Sequence, residues 1–345
     1  MLIFLNLSFL IFAEETVSVD LDTVIERIME NDLDYRLTVA NYERTMLEYE
    51  KRKANYLLQE SRYNELELEN SIRSAENTYR NAIEQFVNNI IREYTDLYLA
   101  VLDLEIKNIN FELAETRLRE AEAQYRIGDI GSIALLDQEN SFKDIQFSLE
   151  NARDDLQHKM KEFAGKLGLA GKSLELAELD YNNEWMPEEE EVIQAVLENS
   201  FQLYTKENQL RLAEIDLERA ELTAAELDRK IKEKALEIAR LELEKTRNEL
   251  KEGARQSFYQ YKQAVKRIEL NRERLRSAEE KYRLREEQYK LGLITRVEVL
   301  EYKASMLQAK YNYLSAVANY HLTERALKWE MGLETEVLLN ENTDK

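Results

Sequence analysis

Cysteine is absent from the 345 residues, and proline occurs once. The first absence excludes disulfide frameworks, thiolate nucleophiles and Cys-zinc sites, and leaves the compartment open. Only 8 glycines accompany the single proline. The two strongest helix breakers are therefore scarce, and long uninterrupted helices are easy to build. Basic character is also in short supply: 48 Lys and Arg stand against 69 Asp and Glu, for a net charge of −21. A nucleic-acid surface needs a basic face, so no nucleic-acid partner is expected. The acidity reads first as a solvated helical surface and second as an acidic lumen or mouth that favours cations. Two histidines, His158 and His321, lie far apart and without metal-ligand spacing. There is no Gly-rich phosphate loop, and acid pairs are too numerous for any one to stand out as an acid/base couple. No enzyme activity, cofactor or metal is expected.

What is present is helical. Charged residues make up 34% of the chain and apolar residues 44%. Glu, Lys, Leu, Ala and Arg dominate, which suits long helices or coiled coil more than one large globular core. The N-terminus, MLIFLNLSFLIFA, is an apolar run that turns acidic at Glu14 and Glu15. It is too short to span a bilayer and suits a signal peptide over residues 1–13, with Ala13 as the cleavage residue. No Lys or Arg precedes it, which departs from the usual pattern. Export to the periplasm or cell envelope is the expectation.

The chain reads as a duplication. VIERIMEN ends at Asn31 and VIQAVLEN at Asn199, an offset of 168. QYRIG ends at Gly128 and QYKLG at Gly292, and KLGL (166–169) matches EMGL (330–333), both offset by 164. Matches in one order define a first repeat over 14–169 and a second over 188–335. Residues 170–187 form the connection, which holds Gly171 and Pro187 and has room for one short ordered piece. Residues 336–345 read as a disordered tail. Tyrosines at 35, 42, 49, 56 and 63 keep a seven-residue spacing, and a shift of 168 lands on Leu203, Leu210, Leu217, Ala224 and Ile231. A heptad stripe implies a helix–helix seam. The rings read first as seam fillers with hydroxyls at the edge, and second as the wall of a wet channel. Gly128, Gly131 and Gly292 mark turns between helices of about 55–60 and 32–36 residues, the longer arms reaching roughly 80–90 Å.

These residues resemble the outer membrane efflux protein family, of which TolC is the best-known member. The resemblance rests on the short opening helix of each repeat and on the paired Y-x-x-G turns, Tyr125-Arg126-Ile127-Gly128 and Tyr289-Lys290-Leu291-Gly292. It spans about residues 18–335. It implies an all-α fold of long helical hairpins in two tandem repeats, a homotrimer enclosing a duct, and an efflux or export role. It also implies that the turns dock on a periplasmic adaptor joined to an inner-membrane pump. The docking residues would be Tyr125, Arg126, Gly128, Asp129 and Ile130 in the first turn, and Tyr289, Lys290, Gly292, Leu293, Ile294 and Thr295 in the second. The family narrows its tip with acids after the second turn; here Glu298 and Glu301 stand there, with Asp137 in the first repeat. Repeated by three-fold symmetry these would form an acidic ring, whereas alone they read as helix N-terminal acids favoured by the dipole. Ile294 stands where the family carries a tip arginine, with Arg296 two residues on.

The family's β-hairpins are missing. A membrane strand needs about 9–11 alternating residues, and neither 60–71 nor the stretch after Glu221 supplies them. No β-barrel is expected, so the chain would work with a separate outer-membrane partner or serve an envelope built differently. The unbroken stripe through Leu210, Leu217, Ala224, Ile231 and Ile238 favours one straight helix in the second repeat. In the first, Ser61 and Asn64 leave room for a break. The competing function is a structural coiled-coil spacer with no conduit.

Overall fold

The computed structural model describes residues 16–56, 62–179, 181 and 185–333. The expected signal peptide at 1–13 and the tail at 336–345 lie outside the described residues. The elements, in chain order, are β1 (Thr16–Val19), α1 (Leu21–Asn31), α2 (Leu33–Tyr56), α3 (Arg62–Arg126), α4 (Ser132–Lys166), β2 (Ser173–Leu176), α5 (Glu189–Asn199), α6 (Phe201–Thr223), α7 (Glu226–Lys290) and α8 (Arg296–Glu330). The fold is all-α, as the sequence implied. Among the described residues the only sheet is the parallel pair β1–β2, so no closed barrel is present there. No described helix is long and apolar enough to cross a membrane.

The duplication is visible element by element. Helices α1 and α5 have 11 residues each, α3 and α7 have 65 each, and α4 and α8 have 35 each. The opening helices start on different caps. Asp20 accepts the Thr23 amide at 2.8 Å ahead of α1, and the Thr23 hydroxyl, followed by this amide, holds its carboxyl below the usual range. Glu188 and Glu191 form a capping box ahead of α5, which satisfies two otherwise orphan amides. Pro187 therefore stands just outside the helix, while Glu189, Glu190 and Glu191 occupy its first turn, where the dipole favours them.

The chain divides into two compact units. The first gathers residues 1–32, 89–180 and 270–315; the second gathers 33–88, 181–269 and 316–345. In the first unit, α1 buries Val24, Ile25 and Ile28 and ends at Asn31, whose side chain lies beside Gly168. The second unit repeats this arrangement. There α5 buries Val192, Ile193 and Val196, and Asn199 donates to the Met331 carbonyl at 2.9 Å beside Gly332. A Cβ on Gly332 would meet Asn199 at 2.6 Å. The repeated sequence motifs are thus two halves of one contact, made once in each unit. In the connection, the ordered piece is β2. It pairs with β1, and the fully buried Tyr94 closes the pair by donating to the Ala177 carbonyl at 2.6 Å and to that of Val19 at 3.2 Å.

One expectation is overturned. The second repeat is not straight after Leu210. Helix α6 stops at Thr223, and Ala224 turns to extended backbone (φ −96°, ψ 155°) before α7 begins at Glu226. Lys232 pairs with Asp216 at 2.6 Å and Lys206 with Glu242 at 2.8 Å, so the two helices run antiparallel. Helices α2 and α3 do the same, with Tyr35 packing on Phe86 (ring centroids 5.3 Å apart) and Tyr42 stacked on Tyr79 at 4.1 Å. The reason is physical: a heptad stripe fixes which face is apolar, and each leg of an antiparallel hairpin needs such a face as much as a straight rod does. Burial shows the switch. Leu203 is buried in α6, whereas Ile231 and Ile238 of α7 are exposed. The tyrosine seam reading holds at Tyr35 and Tyr42, which face α3.

Candidate functional site

Both Y-x-x-G turns lie in the first unit, between α3 and α4 at 127–131 and between α7 and α8 at 291–295. A helix ends with unsatisfied carbonyls, and both turns satisfy them identically. The Gly128 amide donates to the Tyr125 carbonyl at 3.0 Å and the Asp129 amide to that of Gln124 at 2.9 Å. In the second turn, Gly292 donates to Tyr289 at 2.8 Å and Leu293 to Gln288 at 3.0 Å. This is the Schellman closure, and it requires a left-handed residue after the helix. Gly128 (φ +80°) and Gly292 (φ +73°) supply it. No atom lies within 4 Å of a Cβ placed on either, so backbone conformation alone selects glycine there.

The turns differ in how the chain re-enters helix. Before α4, Gly131 caps without a side-chain hydrogen bond. Before α8, Thr295 and Glu298 form a reciprocal capping box. The Thr295 amide donates to the Glu298 carboxylate at 2.9 Å, and the Glu298 amide to the Thr295 hydroxyl at 3.3 Å. The Thr295 amide, followed by its hydroxyl, holds the Glu298 carboxyl below the usual range.

The surface presented is apolar. Ile127 is 82% exposed, Ile133 76%, Leu291 74% and Leu293 69%. Leu136, Tyr125 and Tyr289 are also exposed, while Ile130 and Ile294 are half-buried. Charged neighbours are tied locally: the Arg126 Nε donates to the Glu122 carbonyl at 3.3 Å, and Lys290 pairs with Glu286 at 3.1 Å.

The start of α8 is fixed against the last third of α3. Arg296 pairs with Glu112, and Arg117 with Glu301 at 2.5 Å. The bond to Glu112 raises the Arg296 pKa. An apolar cluster of Ile106, Ile109, Leu300 and Leu307 lies with these pairs, flanked by Leu113, Ala304, Met306 and Tyr311. Arg285 on α7 caps the Tyr302 ring at 4.8 Å and donates to its hydroxyl at 3.2 Å.

Of the residues named from the sequence, those in each turn fall together on one short loop and its flanking helix ends. Glu298 and Glu301 sit one turn apart on α8, each engaged within the chain, and Asp137 is exposed on α4. Sequence reasoning missed Ile127, Ile133, Leu136 and Leu291. An available signal was their apolar character in the turns and in the first turns of the helix that follows, between charged helices. It also missed the partners of Arg296 and Glu301, since 184 residues separate each pair.

The sequence model of the outer membrane efflux protein family matches residues 213–332, a span that includes α7, the second turn and α8. No curated protein matches the chain by sequence. Solved structures share the fold. CusC is 16% identical with a TM-score of 0.55, over 90% of this chain and 95% of its own. The outer membrane protein VceC from Vibrio cholerae is 12% identical with a TM-score of 0.56, over 90% and 96%. The outer membrane channel CmeC of Campylobacter jejuni is 11% identical with a TM-score of 0.58, over 93% and 88%. The resemblance read from the sequence is borne out: the chain is built like these channels, and its second repeat carries the efflux family's sequence pattern. That family is one of channels, not of enzymes.

Proposed function

We propose that the chain is a cell-envelope component of a TolC-type efflux or export system. Copies of it, three by family likeness, enclose a helical duct. The two turns dock on a periplasmic adaptor that leads to an inner-membrane pump. The carrying observation is the pair of matched Schellman turns, each presenting exposed apolar residues that folding of the chain leaves uncovered. Small or apolar surface at a tight turn is what another helical hairpin can approach closely. The family match and the shared fold support the same reading. Export by the segment 1–13 and a separate outer-membrane partner complete it.

The acidic ring ranks second to local roles. Glu298 caps α8 and Glu301 pairs with Arg117, so both carboxylates already have partners within one chain.

The competing reading is a coiled-coil spacer, favoured by the exposed Ile231, Ile238 and Leu241 on α7. Light scattering combined with negative-stain microscopy separates the two. A duct predicts a trimer with a stained central lumen. A monomer, or an antiparallel dimer without a lumen, rejects the duct and leaves the spacer.

A further inference from the structure

One cavity of the second unit holds a cation and a carboxylate that are each left without an ionic partner among the described residues. The cavity is open, has a volume of about 350 Å³, and lies where α3, the start of α6, α7 and the end of α8 meet. That size suits a small ligand. It adjoins the contact of Asn199 with Gly332.

Arg80 of α3 is the basic side chain in its wall. It is half-buried, and its guanidinium carbon lies 4.9 Å from the centre of the Trp329 ring. Its Nε is buried without a hydrogen-bond partner. The acids one helical turn away on either side could have reached it, but both are taken. Glu76 pairs with Arg73 at 3.7 Å, and Glu84 with Arg325 at 2.6 Å. A guanidinium partly withdrawn from water on an aromatic face still has its planar fork to offer, and a carboxylate is the group that fits the fork.

Glu330 at the end of α8 is the converse case. It accepts the Ser257 hydroxyl at 3.1 Å and does not pair with Arg80. Glu249, also in the wall, pairs with Lys245 at 3.7 Å. Phe201 and Leu250 give the same wall an apolar part. Gly253 keeps the space open. It stands inside the 65 residues of α7, where glycine is a weaker helix former than alanine. No atom lies within 4 Å of a Cβ placed on it, so close packing does not select glycine there. A larger side chain at this position would take up part of the cavity.

We propose that this cavity binds a small zwitterion with an apolar body, such as an apolar amino acid or dipeptide. The ligand carboxylate meets Arg80, its ammonium meets Glu330, and its apolar part lies against Phe201 and Leu250. One cation against two acids leaves the wall at −1, which disfavours a multiply charged anion such as phosphate. The site belongs to one unit of one chain and does not depend on a duct.

The test titrates the full chain carrying Trp185→Phe, which leaves Trp329 as the one tryptophan, and follows its fluorescence. The probes are leucine, leucyl-leucine, leucinamide, which lacks the carboxylate, and 4-methylpentanoate, which lacks the ammonium. Leucine is expected to bind about tenfold or more tightly than leucinamide or 4-methylpentanoate, and to raise the melting temperature. Arg80→Gln should weaken leucine by about tenfold or more while leaving leucinamide unchanged. Glu330→Gln should weaken leucine and leave 4-methylpentanoate unchanged. Gly253→Leu should abolish binding of every probe while helicity by circular dichroism is retained. If a variant fails to fold, the ranking of the probes on the parent chain decides. No saturable response to leucine or leucyl-leucine overturns the proposal. So does equal affinity for leucine and leucinamide, or leucine binding that survives Gly253→Leu unchanged, which would place it elsewhere.

Discussion

Tyr94 shows how one hydroxyl can separate two otherwise matched repeats. Its ring is fully buried, and its hydroxyl holds the Ala177 and Val19 carbonyls at the ends of β2 and β1. The offset of 164 places Phe258, which has no hydroxyl, at the equivalent position. Burial first, then the charge of Asp20, pushes the Tyr94 pKa up to about 12. The folded state therefore holds this proton more tightly than the unfolded chain, whose tyrosines titrate near 10. The resulting stability is fully present below about pH 10 and is lost as pH rises to about 12. Tyr94→Phe should cost about 1–2 kcal/mol in urea unfolding at pH 7, since it takes the hydroxyl donor from the Ala177 carbonyl, while the Val19 carbonyl keeps the Ala177 amide. It should also flatten part of the alkaline loss, which a pH series of melting curves would show. An unchanged alkaline limb would mean the hydroxyl does not titrate as placed.

At the level of elements, the reversal between α6 and α7 decides what each face does. The absence of glycine and proline from Thr223-Ala224-Ala225-Glu226 gave no break signal, yet the helices turn there. Ion pairs between the legs record it: Lys232 with Asp216, Lys206 with Glu242 and Arg247 with Glu207. In a straight helix, residues 216 and 232 would lie about 24 Å apart, and 206 and 242 about 54 Å apart. Zero-length carbodiimide coupling should therefore join Lys232 to Asp216 and Lys206 to Glu242 within one chain, read by peptide mass. Neither link can form in the straight arrangement. The Y-x-x-G turns are the opposite case. Their tyrosine and glycine were legible because the Schellman closure depends on a left-handed residue at a fixed distance from the helix end. Their exposed flanks were not, because exposure depends on what else the chain folds against them.

For the whole molecule, the proposed duct makes a demand that a spacer does not: the turns must bind a partner while assembly proceeds without them. Leu291→Asp with Leu293→Asp places charge on residues 74% and 69% exposed, so folding stability should change by less than about 0.5 kcal/mol. Export in cells should nevertheless fall at least tenfold, while light scattering of the purified variant matches the wild type. Normal export with the doubly charged turn would remove these turns from any docking role. Loss of assembly instead would make them subunit contacts.

The sequence by itself determined the helical class, the duplication, the Y-x-x-G turns and, among the described residues, the absence of barrel strands. All of these follow from local signals: helix-breaker counts, heptad spacing, and glycine at the third position after tyrosine. The tertiary structure alone decided that the second repeat folds back at Ala224. It also decided that Asn31 meets Gly168 and Asn199 meets Gly332, that Arg296 and Arg117 bind acids on the neighbouring long helix, and that Arg219 of α6 lies over Tyr63 of α3. These are contacts between residues far apart in the chain. Their free energy comes from packing and pairing across helices, which a periodic pattern permits in more than one arrangement.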